Sequence, residues 1–579
     1  MFRRYEMKSR RGQVGQSFKP KTFGYIECSN GVAVMICQWE REMAAPYPCT
    51  VYGRDSTPSP FSQQLKSLVD FQGNVAPSSS SAASHLAEHL QHVPSVEIRV
   101  EAGLIPFEKE NHISSLKSQV KVALSPIRLL PTEIFIEVFR HGVVVNAFDS
   151  SKGPWILAQV CSTWREIITT HCPGLWSTIL IEICAYRCQD PVSILKTALD
   201  RSGQSDLRIK FWETSIEEYT AKQMLNLLFE VSNRWSNVIL DLQPCSLSSL
   251  SVVRGRLDRL SSMTIKYHGI GQPPSRIDAF EITPLLNDIN IVVRSDHDAV
   301  TIVPCGSESL QAYRNDRAYG DVDLHRALLD TILKSPNLNS LWAYYHNCTT
   351  TASRPLITRI NSTSIRFLQT SESALLDSLS LPALETVWLG PDKPCQSLCS
   401  EDTLPSLLHL ITSSRCSLTR LVLAEVDISH ELIPVLRHTP MLDSLEMYFA
   451  WWSNPLDRTM QLLVTAMMES KVAPAASPAT PFRPAILPGL TCFKIEIRDV
   501  SRVGTALFIN DMFVRMLSIR RTMPADGDNR RLQIVTVSLS KSPVLRTGLV
   551  SDFEALQQTG MDLTVSVSES SHGTDPIAH

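Results

Sequence analysis

Residues 1–85 show no sustained period of apolar positions, whereas a helical period sets in just after Pro126. Leu130, Ile134 and Val138 recur every four residues and share one helix face. Pro131 stands where a helix tolerates proline, Glu133 suits the first turn, and Gly142 is a stop. After a polar loop, Leu157, Cys161, Trp164 and Ile168 predict a second amphipathic helix, which Pro173-Gly174 ends. Two short helices crossing over a tryptophan-rich core fit these signals, with Trp164 and Trp176 as the large aromatics that hold them. So small a unit cannot bury every apolar face within itself. Leu130, Pro131, Ile134 and Val160 therefore form a surplus, covered either by a partner's helices or by a later part of this chain.

Beyond residue 200 a second pattern appears: an apolar residue, then apolar residues three and five positions later. It recurs as Trp235-Val238-Leu240, Leu286-Ile289-Ile291, Leu384-Val387-Leu389, Leu418-Leu421-Leu423, Leu442-Leu445-Met447 and Leu490-Phe493-Ile495. Positions 418 and 442 lie 24 apart, inside the leucine-rich-repeat range, while the other gaps are larger and uneven. His325–Lys334 and His430–Arg437 read as helices, each leading through a proline turn into a short strand. Helix, turn and strand make the unit of a solenoid. The asparagine of a regular repeat is missing, with Val426 and Ala450 at its place. Residues 469–489, rich in Pro and Ala, predict an exposed loop, and Leu532–Leu539 and Leu563–Val567 alternate like strands. Trp342 and Trp388 each follow a core position, so alternation turns them to the other side of their strands and makes them candidates for a binding surface. Tyr344, Tyr448, Trp451 and Trp452 pose the same choice between core and surface.

Composition narrows the function classes. Hydrophobic residues make up 43% of the 579, enough for packed cores. A formal net charge of −3 gives no basic surplus of the kind nucleic-acid binding usually shows. The basic start (Arg3, Arg4, Lys8, Arg10, Arg11, Lys19, Lys21) reads as a disordered leader or an address signal, and Pro77–Ser81 as a linker. Fourteen scattered cysteines without a secretory signal predict reduced thiols, and no apolar run is long enough for a bilayer. Cytoplasmic or nuclear residence is the expectation.

Candidate chemistry is thin. Ser193-Ile194-Leu195-Lys196 matches a Ser-x-x-Lys pattern, which arises by chance in most chains of this length. Cys184/Cys188 and Cys395/Cys399 form two C-x3-C pairs too far apart in sequence to predict one zinc site. The expectation is no catalytic residue, no metal and no cofactor.

Residues Pro126–Thr178 resemble the F-box, specifically the F-box-like proteins abundant in mushroom-forming fungi. The resemblance rests on Leu130-Pro131-Thr132-Glu133-Ile134, on Val160-Cys161-x-x-Trp164-Arg165 and on Pro173-x-Leu175-Trp176. It covers about a tenth of the chain closely. The later region matches only in style, through Leu195, Ser202-Gly203 and Arg234-Trp235. The resemblance implies a fold of α+β or α/β repeat type: a weakly structured extension (1–124), a small all-α F-box module (125–180), an irregular leucine-rich-repeat-like solenoid (181–567) and a disordered tail (568–579). It implies the substrate-recognition adaptor of a Skp/cullin/F-box ubiquitin ligase, acting in protein ubiquitination by proximity. Leu130, Pro131, Ile134, Val138, Val160 and Trp164 would meet the Skp-type linker, and Trp342 and Trp388 an unknown protein substrate. Nucleic acid and membrane are not expected partners. A leucine-rich interaction protein without ligase recruitment, and an enzyme of unrecognised type, are the alternatives.

Overall fold

A computed structural model of the chain describes residues 127, 130–142, 146–182, 190–213, 218–267, 276–293, 301–302, 308–319, 322–347, 359–391, 402–470, 484–500, 506–523, 530–540 and 547–568. The expectations for the basic start, the linker, the two C-x3-C pairs, most of loop 469–489 and the tail after Ser568 lie outside these residues. The chain divides into two compact units, residues 1–144 and 145–579.

In the first unit, α1 spans Thr132–Gly142, with Glu133 in its first turn and Arg140 and His141 in its last, as the helix dipole favours. Phe135 and Phe139 are buried with ring centroids 5.8 Å apart. Leu130, Pro131 and Ile134 are exposed, and Val138 is half-buried.

The second unit begins with short helices. The single second helix expected from the sequence is two: α2, Pro154–Val160, and α3, Ser162–Glu166, continued by a π-turn at Ile167–His171. Cys161 breaks it by adopting an extended backbone, and its Sγ accepts the Trp164 N–H at 3.5 Å, capping α3. Trp176 closes the segment. It is fully buried, its indole N–H donates to the Ile168 carbonyl, and Trp155 packs edge-on at 5.1 Å. The Arg201 guanidinium lies over both rings.

From Thr178 the chain builds one parallel sheet of fourteen strands whose spatial order is their chain order. These are β1 Thr178–Glu182, β2 Leu207–Trp212, β3 Trp235–Leu242, β4 Ser262–Tyr267, β5 Asp288–Val293, β6 Ala312–Tyr319 and β7 Ser340–Asn347. The series continues with β8 Phe367–Thr370, β9 Thr386–Leu389, β10 Arg420–Ala424, β11 Ser444–Phe449, β12 Cys492–Ile497, β13 Ile534–Ser540 and β14 Asp562–Ser568. Two further two-stranded pairs lie in the connections. The main connecting helices are α4 Pro191–Arg201, α5 Glu218–Glu230, α6 Val322–Lys334, α7 Ser373–Ser378, α8 Thr403–Ser414, α9 Leu432–Arg437, α10 Asn454–Met468, α11 Asp511–Thr522 and α12 Thr547–Gln558. Successive helices pack on one another from α7 to α9 and from α10 to α12. The whole is mixed α/β around one large parallel sheet.

The second and third positions of all six spacings read from the sequence fall on strands, at β3, β5, β9, β10, β11 and β12. Their apolar positions align across the sheet: Val238, Ile289, Val387, Leu421, Leu445 and Phe493 share one register row and are buried. Each such side chain contributes about 1.5–3 kcal/mol by leaving water. Residues between them alternate to the other face, which stays partly open.

Where the asparagine is missing, carboxylates stand in. Glu213, just after β2, accepts the Gln243 N–H at 2.8 Å and the Ser246 hydroxyl at 2.7 Å. Glu425, just after β10 and 1% exposed, accepts the Ala450 N–H at 2.5 Å. In both cases the acceptor ties the first residue past the next strand. Gly390 meets a similar constraint at the end of β9: with φ 102°, a Cβ there would come within 1.8 Å of the Ala424 carbonyl oxygen. Only glycine fits.

Candidate functional site

Alternation along the strands sends one residue in two onto the open face, and parallel register lines these residues up in rows. The central row reads Leu180, Lys210, Ile239, Thr264, Asn290, Arg314, Trp342, Gln369, Trp388, Val422, Glu446, Lys494, Thr536 and Thr564. Trp342 and Trp388 stand two strands apart in it, both half-buried.

Aromatic rings roof this part of the sheet. Trp342 packs on Phe367 with centroids 4.8 Å apart, and the Arg314 guanidinium lies 4.5 Å from the Trp342 ring. Trp388 and Tyr448 stack on either side of β10, with ring centroids 6.2 Å apart and planes 3° from parallel. Val422, on the strand between them, is fully buried. The Trp388 indole N–H donates to the Pro391 carbonyl at 3.2 Å, which fixes the ring. Lys494 approaches the Tyr448 ring at 4.9 Å.

Polar groups knit the same patch. The Tyr448 hydroxyl donates to Glu446 at 2.7 Å, and Arg420 forms an ion pair with the same carboxylate at 2.7 Å. Burial, reinforced by Glu446, pushes the Tyr448 phenol well above its ordinary value, and burial raises the Cys492 thiol at the start of β12. Tyr448 was one candidate among several in the sequence, and Glu446, Arg314 and Lys494 were not read there at all. Only register brings them together. Tyr344 and Trp452 are buried and belong to the core.

The residues expected to meet a linker fall into two groups. Leu130 (39% exposed) and Ile134 (46%), with exposed Pro131 and half-buried Val138, leave an apolar edge on α1. Val160, at the end of α2, is half-buried. Trp164, 7% exposed, packs in the core of the α2–α3 segment.

Ser193 of the Ser-x-x-Lys pattern works as part of a helix cap. Asp190 accepts its N–H at 3.0 Å and its hydroxyl at 2.6 Å, which holds the Asp190 carboxyl below its ordinary value. Burial pushes Tyr313 up to about 12 and Cys416 up to about 11, and lowers Arg520 to about 10. These three sit on separate elements. Among the described residues no cluster of three or more His, Cys, Asp or Glu is placed to hold a metal ion. No described helix is long and apolar enough to cross a membrane. No family model matches the chain, and no curated protein matches it significantly.

Proposed function

We propose that this chain is the substrate-recognition adaptor of a Skp/cullin/F-box ubiquitin ligase, working in the cytoplasm or nucleus. On this reading residues 126–178 are an F-box, and the strand-and-helix array beyond is an irregular leucine-rich-repeat solenoid that holds the target. The observation that carries the reading is the double character of α1. Phe135 and Phe139 are spent on packing, while Leu130 and Ile134, in the Leu-Pro-Thr-Glu-Ile stretch that carries the resemblance, remain exposed. An exposed apolar edge of this kind marks a docking site for helices. The aromatic patch on the open face supports the second half, since half-buried tryptophan and tyrosine beside arginine are what protein recognition favours. Leu130, Pro131, Ile134 and Val138 would meet the linker, and Trp342 and Trp388 the target. Holding a target lysine near a ubiquitin-loaded enzyme raises its effective concentration, and the chain itself supplies no catalytic group.

Co-purification with a Skp-type linker tests this. Wild-type chain binds and the Leu130→Ala/Pro131→Ala variant does not, with unchanged thermal melting. A wild-type chain that binds no linker at micromolar concentration leaves an interaction protein without ligase recruitment.

A further inference from the structure

The two edges of the fourteen-stranded sheet are finished differently. Along β1 the outward backbone groups have partners. The Ala147 N–H donates to the Thr178 carbonyl at 2.8 Å. The Asn146 side chain donates to the Leu180 carbonyl and accepts the Leu180 N–H, each at 3.0 Å. Residues 146 and 147 thus cover this edge. β14 stands at the opposite end of the sheet, flanked by β13 alone.

The ladder decides which groups of β14 point outward. The Asp562 N–H donates to the Gln533 carbonyl, so Asp562, Thr564 and Ser566 bond inward. Leu563, Val565 and Val567 then turn their N–H and C=O groups to the edge. α12 covers the first of these, because Gln557 Nε2 donates to the Leu563 carbonyl at 2.6 Å. The Leu563 N–H donates to the Met561 carbonyl at 3.0 Å. Val565 and Val567 keep two donors and two acceptors without a partner among the described residues. Their side chains are half-buried, whereas Val537 and Leu539, beside them on β13, are buried. The strand has no Lys, Arg or Pro to guard it, and its one charge, Asp562, lies at the far end.

Such an edge accepts another strand, and a second copy of this chain satisfies it fully. Antiparallel pairing about a two-fold axis at Ser566 sets Val565 against the other copy's Val567, and Val567 against its Val565. Both become hydrogen-bonded pairs that exchange two bonds each, so every open group finds a partner. The register is selected: a shift one way meets Gln557 on Leu563, and a shift the other way sets Val565 against Glu569. The half-buried valines of the two copies then lie side by side, and no like charges face each other.

We propose that β14 is a self-association edge, through which two copies of this chain join their sheets antiparallel about a two-fold axis at Ser566. The inference is independent of the adaptor reading. A pairing this short belongs with weak, reversible interfaces, so the dimer forms at about 100 μM protein.

The two-fold sets Ser566 opposite itself as a non-hydrogen-bonded pair, with Cα atoms about 4.5 Å apart and within disulfide reach. Thr564 faces the other copy's Ser568 instead and lies about 14 Å from its own counterpart. Sedimentation equilibrium of the full chain at about 100 μM therefore shows a monomer–dimer equilibrium. Under mild oxidation at that concentration, Ser566→Cys gives at least about fivefold more covalent dimer than wild type or Thr564→Cys, and a thiol reductant reverses it. Ser566 is exposed, so Ser566→Lys melts like wild type, yet it stays monomeric because like charges meet on the axis. A wild-type chain that remains monomeric, as it would with residues 569–579 occupying the edge instead, overturns the proposal. So does crosslinking by Ser566→Cys no greater than by Thr564→Cys, or a Ser566→Lys variant that dimerises like wild type.

Discussion

Arg520 on α11 is 1% exposed, and its guanidinium donates to three carbonyls: Met467 at 3.0 Å, Leu487 at 2.7 Å and Ile486 at 2.7 Å. It ties the end of α10 to the segment leading into β12. Arg520→Met keeps the volume but leaves three buried carbonyls without donors. A loss of about 3 kcal/mol follows in denaturant unfolding, because each orphaned acceptor costs roughly 1–3 kcal/mol and relaxation recovers part of it. Cys416 makes a pH prediction. The unfolded chain releases its thiol proton near 9 and the folded chain at about 11, so over that interval the unfolded state holds fewer protons and stability falls as pH rises. At pH 8 the Cys416 thiol stays protonated and buried, and alkylation followed by peptide mapping labels exposed Cys245 before Cys416. Neither residue was visible as special in the sequence, since burial is a property of the neighbours.

Elements were legible wherever apolar spacing alone decides them. β9, β10 and β11 show this, because their core positions are Val, Leu and Met, and their register follows once the chain stacks in order. β6 shows the limit. Its inward residues are Tyr313, Asn315 and Arg317, and the Arg317 guanidinium donates to the Asn315 side chain at 2.6 Å, so the core side reads as polar. The break at Cys161 was equally hidden, because Leu157, Cys161, Trp164 and Ile168 keep helical spacing on either side of it. Two element-scale predictions follow from the turns between strands. Gly390→Ala drives a Cβ into the Ala424 carbonyl at a positive φ, so the variant loses more than about 2 kcal/mol in thermal or chemical unfolding. Glu213→Ala strands the Gln243 N–H and the buried Ser246 hydroxyl, and a loss of about 2 kcal/mol is expected, whereas Glu213→Gln retains one acceptor and costs less.

At the scale of the molecule, the two units carry separate parts of the account. The apolar edge of α1 was legible in outline because Leu130, Ile134 and Val138 recur at helical spacing, although only the structure separates them from buried Phe135 and Phe139. The open face was legible only as Trp342 and Trp388; its charges come from strands far apart in sequence that register alone brings together. Sites without shared partners act independently. Trp388→Ala therefore leaves linker binding unchanged. The central claim is that α1 docks a helical partner through its exposed edge. The direct measurement is titration calorimetry of the full chain with a purified Skp-type linker, comparing wild type with Ile134→Asp. Binding with a Kd of about 1 μM or tighter, weakened at least about 100-fold by Ile134→Asp at unchanged melting temperature, is the predicted result. No heat of binding from wild type, or equal binding by both proteins, contradicts it.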